Sequence, residues 1–434
     1  MPQENPYIDR DDLLSLIRAE FVAYGNAHGQ DYKAKRKALT DQLKAPGDKI
    51  AARQHEGKPA ACAYQILLEL GWLAKYCTDW KRADDRVADL TKAMAHLDED
   101  RVDPCQSALD GSWGGCISEW YRKLEPTVDA LQILRDDKRV VPLSFMTPLL
   151  KPRHVLDRLW QLQLSDIRTT GRNNRDELGA MQTALSQLIF KDNLRDLFKE
   201  RPELCFDVSQ ELEDIYTDFL SQTQHPRTGY WGPWYRIGEK GKEKLLQVQD
   251  LSFTFHIINY RQGNVENWPA IIDTTLDIET LVYPAGWTPS SVAKRSHHNN
   301  YDVATIFALG WPHMTDEQKV MVRERIRRLL AWCLGEITEK HGFNDEPDTA
   351  AADTYYYGVR FLDRLGFWDP QRRFWSRSAP DLPDWVASPG KLAELLFDKL
   401  KALNDRTSET ATATAILQTA KCAQTNAPPP NDGS

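Results

Sequence analysis

Long apolar runs are missing from this chain. Nothing in its 434 residues approaches the ~20 consecutive apolar residues that a bilayer-spanning helix needs, so no membrane span is expected. The opening MPQENPYIDRDD is polar and acidic. It lacks the positive start and apolar stretch of a signal peptide, which points to a cytoplasmic protein. Cysteine is sparse: the seven thiols at 62, 77, 105, 116, 205, 333 and 422 are scattered, odd in number and never spaced as CxxC. A disulfide framework and a structural zinc site are therefore not expected, and the thiols read as small hydrophobes in a reducing compartment. Basic residues are outnumbered, 55 Lys and Arg against 63 Asp and Glu, and form no stripe, which argues against nucleic acid or an anionic membrane as the main partner. A P-loop, GxGxxG, GxSxG and HExxH are all absent. Nucleotide-binding and serine-hydrolase chemistry thus has nothing to rest on, and no cofactor or metal is expected.

Aromatic residues, by contrast, are plentiful. Fourteen Trp accompany fifteen Tyr and fourteen Phe, many in short clusters beside Gly and Pro rather than at regular core spacing. The remaining pattern is helical. DDLLSLIRAEFVAYG, the run from Ala60 to Tyr76 and the run from Ile117 to Leu134 repeat apolar residues at three and four, the spacing of one helix face. No polar–apolar alternation is long enough to predict a sheet. VVPLSFMTPLLKPRH, residues 140 to 154, holds three prolines and reads as a domain junction. The expected layout is an N-terminal helical domain over 1–145, a second domain over 146–404, and a tail over 405–434 too poor in large apolar residues to fold.

Internal repeats decide the fold reading. DLSFTFHIINYRQG from Asp250, HNNYDVATIFALG from His298 and DTYYYGVRFLDRLG from Asp353 each open with polar residues and an aromatic. Each runs about three helical turns and closes on Gly263, Gly310 or Gly366. Thr254, Asn300 and Thr354 hold matching places about 50 residues apart, the length of two helices and two loops. Each copy follows a Gly-aromatic loop: TGYWG, PAGW and HGF. GRNNRDELGAMQTALSQLIF from Gly171 is a weaker fourth copy, with Asn174 at the place of Asn300. The repeat is outer helix, Gly-aromatic loop, inner helix, Gly turn.

QTQHPRTGYWG from Gln222 resembles the "Q, several residues, Gly, aromatic, Gly" loop of terpenoid cyclases and protein prenyltransferases, and DTYYYGVRFLDRLG resembles the inner helix that follows such loops. The resemblance covers roughly residues 155–400. It implies an all-α fold, an α/α toroid whose inner-helix N-termini face a central cavity, with the N-terminal helical domain beside it. The acidic Asp-x-Asp-Asp of squalene-type cyclases does not occur in this region; DIET at 277–280 comes nearest and falls in a predicted outer helix. No Asp-x-Cys of the prenyltransferase zinc site occurs there either. Neither chemistry transfers residue by residue.

Five constellations are candidates for chemistry. RSHHNNYD, Arg295 to Asp302, gathers His298, Asn300, Tyr301 and Asp302 at the start of an inner helix, where unpaired N–H groups favour anions. The imidazole and phenol can move protons. His297 and His298 are adjacent and do not easily face one ion, so no metal is assigned. The set resembles the Asn, His and Tyr arrangement of toroid-fold polysaccharide lyases, which neutralise a uronate, abstract its C5 proton and protonate the leaving oxygen. DLSFTFHIINY puts Asp250 and Thr254 on one face, with His256 able to face a cavity or to sit in the core. In AADTYYYGVRF, Asp353 is expected to cap the helix; of Tyr355, Tyr356 and Tyr357 at least one should be buried and one should face the ring, and Arg360, four residues after Tyr356, suits a carboxylate or an inner Asp. GYWGPWYR offers Trp231, Trp234 and Tyr235 as flat faces for sugar rings or apolar chains, or as loop packing. The acids of GFNDEPD, Asp345, Glu346 and Asp348, read as a turn or as a general acid–base pair.

Three functions follow. The first is a carbohydrate-active enzyme, a lyase or hydrolase on an oligosaccharide that is possibly uronate-containing. The second is an isoprenoid cyclase or transferase, whose carbocations aromatic faces would stabilise. The third is a non-catalytic scaffold that kept the ring. The partner in the first two is a small-molecule or oligosaccharide substrate. Nothing in the residues fixes the oligomeric state.

Overall fold

The computed structural model describes residues 30–55, 80–95, 110–113, 120–133, 142–166, 173–237, 243–281, 283–288, 296–340, 342–343, 351–377, 388–403 and 408–425, together with scattered positions between 63 and 74 and residue 382. These residues are overwhelmingly helical, and the fold is all-α. They divide into two compact units, Met1–Arg53 with Pro59–Pro289, and Gln54–Lys58 with Ser290–Ser434.

In the first unit, α1 (Gln30–His55) and α2 (Trp80–Ala95) enclose a small core with the helical positions between 63 and 74. Arg36 Nε donates to the Ala74 carbonyl at 3.0 Å, tying that segment to α1. The elements α3 (Leu124–Ile133), α4 (Pro152–Gln163), α5 (Arg175–Phe190), α6 (Asp192–Glu200), α7 (Gln210–Thr223), α8 (Leu251–Tyr260) and α9 (Trp268–Asp277) follow. Helix α5 is buried almost continuously from Leu178 to Ile189. A helix covered all round belongs to an interior. Its polar side chains are partly satisfied there: Ser186 Oγ lies 2.8 Å from Tyr216 Oη, which also donates to the Gln182 carbonyl. Helix α8 packs on α5, whereas α7 buries one face.

The second unit repeats that alternation. Helix α10 (His297–Gly310) is buried on nearly every side, and α12 (Ala351–Arg364) packs along it. Helix α11 (Asp316–Lys340) is long and one-sided, and α13 (Pro389–Ala402) and α14 (Ser408–Thr425) complete the unit. Helix starts are set by short polar side chains that accept an otherwise unpaired N–H. Ser209 accepts from Leu212, Asp250 from Phe253, Ser296 from Asn299 and Ser388 from Lys391.

The Gly-aromatic loops share a keying device. After α7, Trp231 is buried and donates its indole N–H to the Leu220 carbonyl at 2.7 Å. After α9, Trp287 does the same to the Thr275 carbonyl at 2.7 Å. Each loop glycine is required by a close approach: a Cβ on Gly232 would stand 1.8 Å from the Val248 carbonyl oxygen, and one on Gly286 2.2 Å from that of Ile278.

Several expectations are corrected. A three-stranded sheet is present, with β1 (Leu164–Ser165) parallel to β2 (Trp234–Ile237), and β2 antiparallel to β3 (Lys244–Gln247). Two to four residues per strand are too few to show an alternation. The proline-rich stretch at 142–154 is no junction. Phe145, Met146 and Leu149 are buried, Leu143 N–H bonds the Leu204 carbonyl, and Pro152 starts α4, where its missing N–H costs nothing. The division between units falls near 289, not 145. The expected tail from 405 carries α14: alanine is the best helix former, and Ala413, Leu417 and Ala420 recur on one buried face. Gly263 (φ 81°) and Gly366 (φ 65°) end their helices in the left-handed region, but Gly310 does not; there the chain passes into a 3₁₀ turn, Trp311–His313. Asp353 lies in the first turn of α12 rather than before it, so it is not the cap.

Candidate functional site

The α10–α12 contact brings together several proton-moving side chains. His298, Tyr301, Asp302 and Thr305 follow at i, i+3, i+4 and i+7, one stripe of α10. His298 Nε2 lies 3.6 Å from Asp302 Oδ2, with the imidazole side chain 28% exposed and the carboxylate 0% exposed. The His298 ring stacks on Tyr357 of α12, centroids 4.1 Å apart and planes 16° from parallel. Arg360 Nη2 donates to Tyr301 Oη at 2.6 Å, so the phenol oxygen is held as an acceptor. Tyr356 stands edge-on to Tyr301 at 6.4 Å and to Tyr357 at 5.0 Å. Burial opposes the Arg360 charge, but the oxygens of Tyr301 and Tyr356 and the Asp363 carboxylate outweigh it, so the guanidinium titrates above its ordinary range. Arg360 Nε is buried without a hydrogen-bond partner, a donor available to a ligand.

The cluster HHNN splits between faces. His297 is buried against Trp332 (centroids 4.8 Å) and Phe343 (4.6 Å), and desolvation pushes its pKa down to about 3. Asn300, two residues past His298, is turned about 160° away from it around the helix. It is buried with Nδ2 unpartnered, and the structure does not bring it to the His298 stripe. Arg295 and the acids Asp345, Glu346 and Asp348 lie outside the described residues.

The other sequence candidates belong to the first unit. Asp250 caps α8 and forms a two-pronged pair with Arg175, Nε–Oδ2 2.7 Å and Nη2–Oδ1 3.1 Å. Burial opposes the Arg175 charge and Asp250 with Asp176 outweighs it, raising its pKa. Tyr235 is buried beside this pair and donates to Asn173 Oδ1 at 3.1 Å; burial pushes the phenol up. Trp231 is a core residue whose backbone N–H bonds Thr254 Oγ1, so it presents no face to a ligand. Trp234 is half-buried against Trp160 at 5.7 Å, its indole N–H unpartnered. His256 stacks on Tyr260 at 5.6 Å. DIET ends α9 with Asp277 exposed, a surface acid.

Arg175 escaped notice in the sequence, and Tyr357 stood out only as one of three candidate tyrosines. Arg175 follows Asn174, and its partner lies 75 residues away, so only the fourth repeat copy hinted at it. Tyr357 is one of three consecutive tyrosines, and nothing in the spacing singles it out as the one on His298. Among the described residues no three His, Cys, Asp or Glu side chains gather as a metal ion requires, and no helix is long and apolar enough to cross a membrane.

Fold and site together define an all-α protein with a His–Asp pair and a Tyr–Arg pair on two adjoining helices. No protein-family model matches the chain, and neither a curated protein nor a solved structure matches it.

Proposed function

We propose that the α10–α12 stripe is an acid–base site that cleaves a carboxylate-bearing saccharide by β-elimination. The observation that carries this reading is the pairing of His298 with fully buried Asp302, next to Tyr301 held by Arg360. Asp302 orients the imidazole and favours its charged form once a proton is taken. In this reading neutral His298 removes the proton at C5 of a uronate. The C4–O bond breaks as the C4=C5 double bond forms, and Tyr301 gives its proton to the leaving oxygen. Arg360 faces the substrate carboxylate, the role the sequence assigned to Asn300, and can recover charge balance at Tyr301. The repeated inner and outer helices support the further proposal of an α/α ring of the kind terpenoid cyclases share, with this stripe at its cavity.

The test incubates purified protein with oligosaccharides of galacturonate, mannuronate and glucuronate, reading the ultraviolet absorbance of the unsaturated product. Activity is expected, reduced about 10²–10⁴-fold in His298→Ala and in Tyr301→Phe. New reducing ends without absorbance would replace elimination by hydrolysis, and no cleavage of any substrate would end the saccharide reading. One observation favours a second reading: a single buried carboxylate, Asp302, among Tyr301, Tyr356 and Tyr357 also suits protonation of an alkene, with the π-faces holding the cation. Turnover of a prenyl diphosphate, abolished by Asp302→Asn, would support it.

A further inference from the structure

A concave site lies in the first unit, apart from the residues the sequence offered for chemistry. A cleft of about 300 Å³ is lined by Trp120, Pro148, His154, Asp157, Arg158 and Gln161. That volume is at the small end of ligand pockets, roughly 300–1,000 Å³. His154, Asp157, Arg158 and Gln161 fall at i, i+3, i+4 and i+7, one face of α4. The rest of the lining is half-buried Trp120, in the 3₁₀ turn Trp120–Lys123, and Pro148.

The four polar side chains make no hydrogen bond or ion pair with another described residue. His154 with Arg158, His154 with Asp157 and Asp157 with Gln161 are all spaced for pairing along a helix, where a solvated polar face commonly links up. Arg158 instead stands over the Tyr121 ring, 5.5 Å from its centroid, and Tyr121 is itself anchored to Glu177 at 2.9 Å. A guanidinium, a carboxylate, a carboxamide and an imidazole thus stand ready beside one flat apolar face. The Asp157 and Arg158 charges cancel, which disfavours a phosphate or other strong anion. A neutral ring that is apolar on one face and carries hydroxyls on its rim fits this lining.

We propose that the α4 cleft binds one ring of an uncharged saccharide. Trp120 stacks on the C–H face of the pyranose, Asp157 accepts from a pair of its hydroxyls, and Arg158 and Gln161 donate to their oxygens. This site stands independently of the α10–α12 reading, because it shares no residue with it.

Saturation-transfer NMR on the full chain, with glucose, galactose, mannose, N-acetylglucosamine, maltose, cellobiose and lactose as probes, tests it. Saturation is expected to reach the ring C–H protons of at least one probe. It should vanish in Trp120→Ala and in Asp157→Ala, and persist in His298→Ala. Asp157 and Gln161 are exposed, so Asp157→Ala and Gln161→Ala report on binding even where removal of Trp120 lowers the melting temperature. No transfer to any probe, transfer that survives both Asp157→Ala and Gln161→Ala, loss in His298→Ala, or displacement of the sugar by inorganic phosphate would each overturn the proposal.

Discussion

His297 shows how one neighbour of a candidate catalytic residue sets the pH range of the fold. It is 1% exposed, held between Trp332 and Phe343, and burial pushes its pKa to about 3. In the unfolded chain the same imidazole titrates near 6.5. Above about pH 6.5 both states are neutral there and the group leaves stability unchanged. As pH falls from that point, the unfolded chain takes up a proton that the folded chain refuses. The fold therefore loses up to about 1.4 kcal/mol per pH unit until the folded group itself titrates. Urea midpoints of the wild type should fall steadily between about pH 6.5 and 4.5, and His297→Phe should remove this part of the slope while leaving carboxylate effects in place. An identical slope in the variant would mean that His297 is not buried as a neutral ring. The same residue marks what the sequence could tell. HHNNYD was visible as a cluster, and residue count along a helix separates Asn300 from His298. Which of the two histidines meets water depended on Trp332 and Phe343, whose side chains close over His297 from other elements.

At the scale of elements, the Gly-aromatic loops are fixed by backbone approach. Gly232 has the Val248 carbonyl oxygen 1.8 Å from where a Cβ would sit, and the clash is with backbone, which cannot swing away. Gly232→Ala should therefore cost about 3 kcal/mol or more, the range of overpacking with backbone shift, read as a lowered denaturation midpoint. Gly335, inside α11 and exposed, meets nothing within 4 Å of an added Cβ. Gly335→Ala should stabilise by about 0.5–1 kcal/mol, because alanine keeps more of its freedom cost out of the helix. A destabilised Gly335→Ala would mean that this face of α11 is covered. These loops were legible in the sequence as TGYWG and PAGW because close approach demands glycine at fixed places. The indole bonds to Leu220 and Thr275 were not, since tryptophan in a loop serves a surface equally well. The small sheet was illegible for a different reason. Trp234–Ile237 owes its strand to pairing with Leu164 and Gln247, residues 70 positions before and 13 after Trp234, not to any local pattern. In α14 the polar composition hid a face of Ala413, Leu417 and Ala420 that needs only small side chains to pack.

At the scale of the molecule, the two compact units make separate statements about cooperativity. Each has its own pair of packed helices, α5 with α8 in one and α10 with α12 in the other, and each has a tryptophan keyed to a helix end. Trp287 bonds the Thr275 carbonyl in the first unit, and Trp375 bonds the Leu365 carbonyl at 3.0 Å in the second. Replacing either by Phe keeps most of the apolar volume but leaves a buried carbonyl without its donor, a cost of about 1–3 kcal/mol. For units of this size each kcal/mol moves a melting temperature by roughly 2–4 °C. Units that unfold independently break the all-or-none rule that small single domains obey, so calorimetry should resolve two transitions. Trp287→Phe is expected to lower one of them and Trp375→Phe the other, each leaving its counterpart within error. If both substitutions instead shift a single peak by similar amounts, with calorimetric and van't Hoff enthalpies equal, the chain unfolds as one cooperative body. The acid destabilisation from His297 would then spread to the first unit as well, where the Arg175–Asp250 pair and the α4 cleft lie. The calorimeter therefore also decides whether loss of the α10–α12 site at low pH leaves saccharide binding at α4 intact, which it does if the transitions are separate.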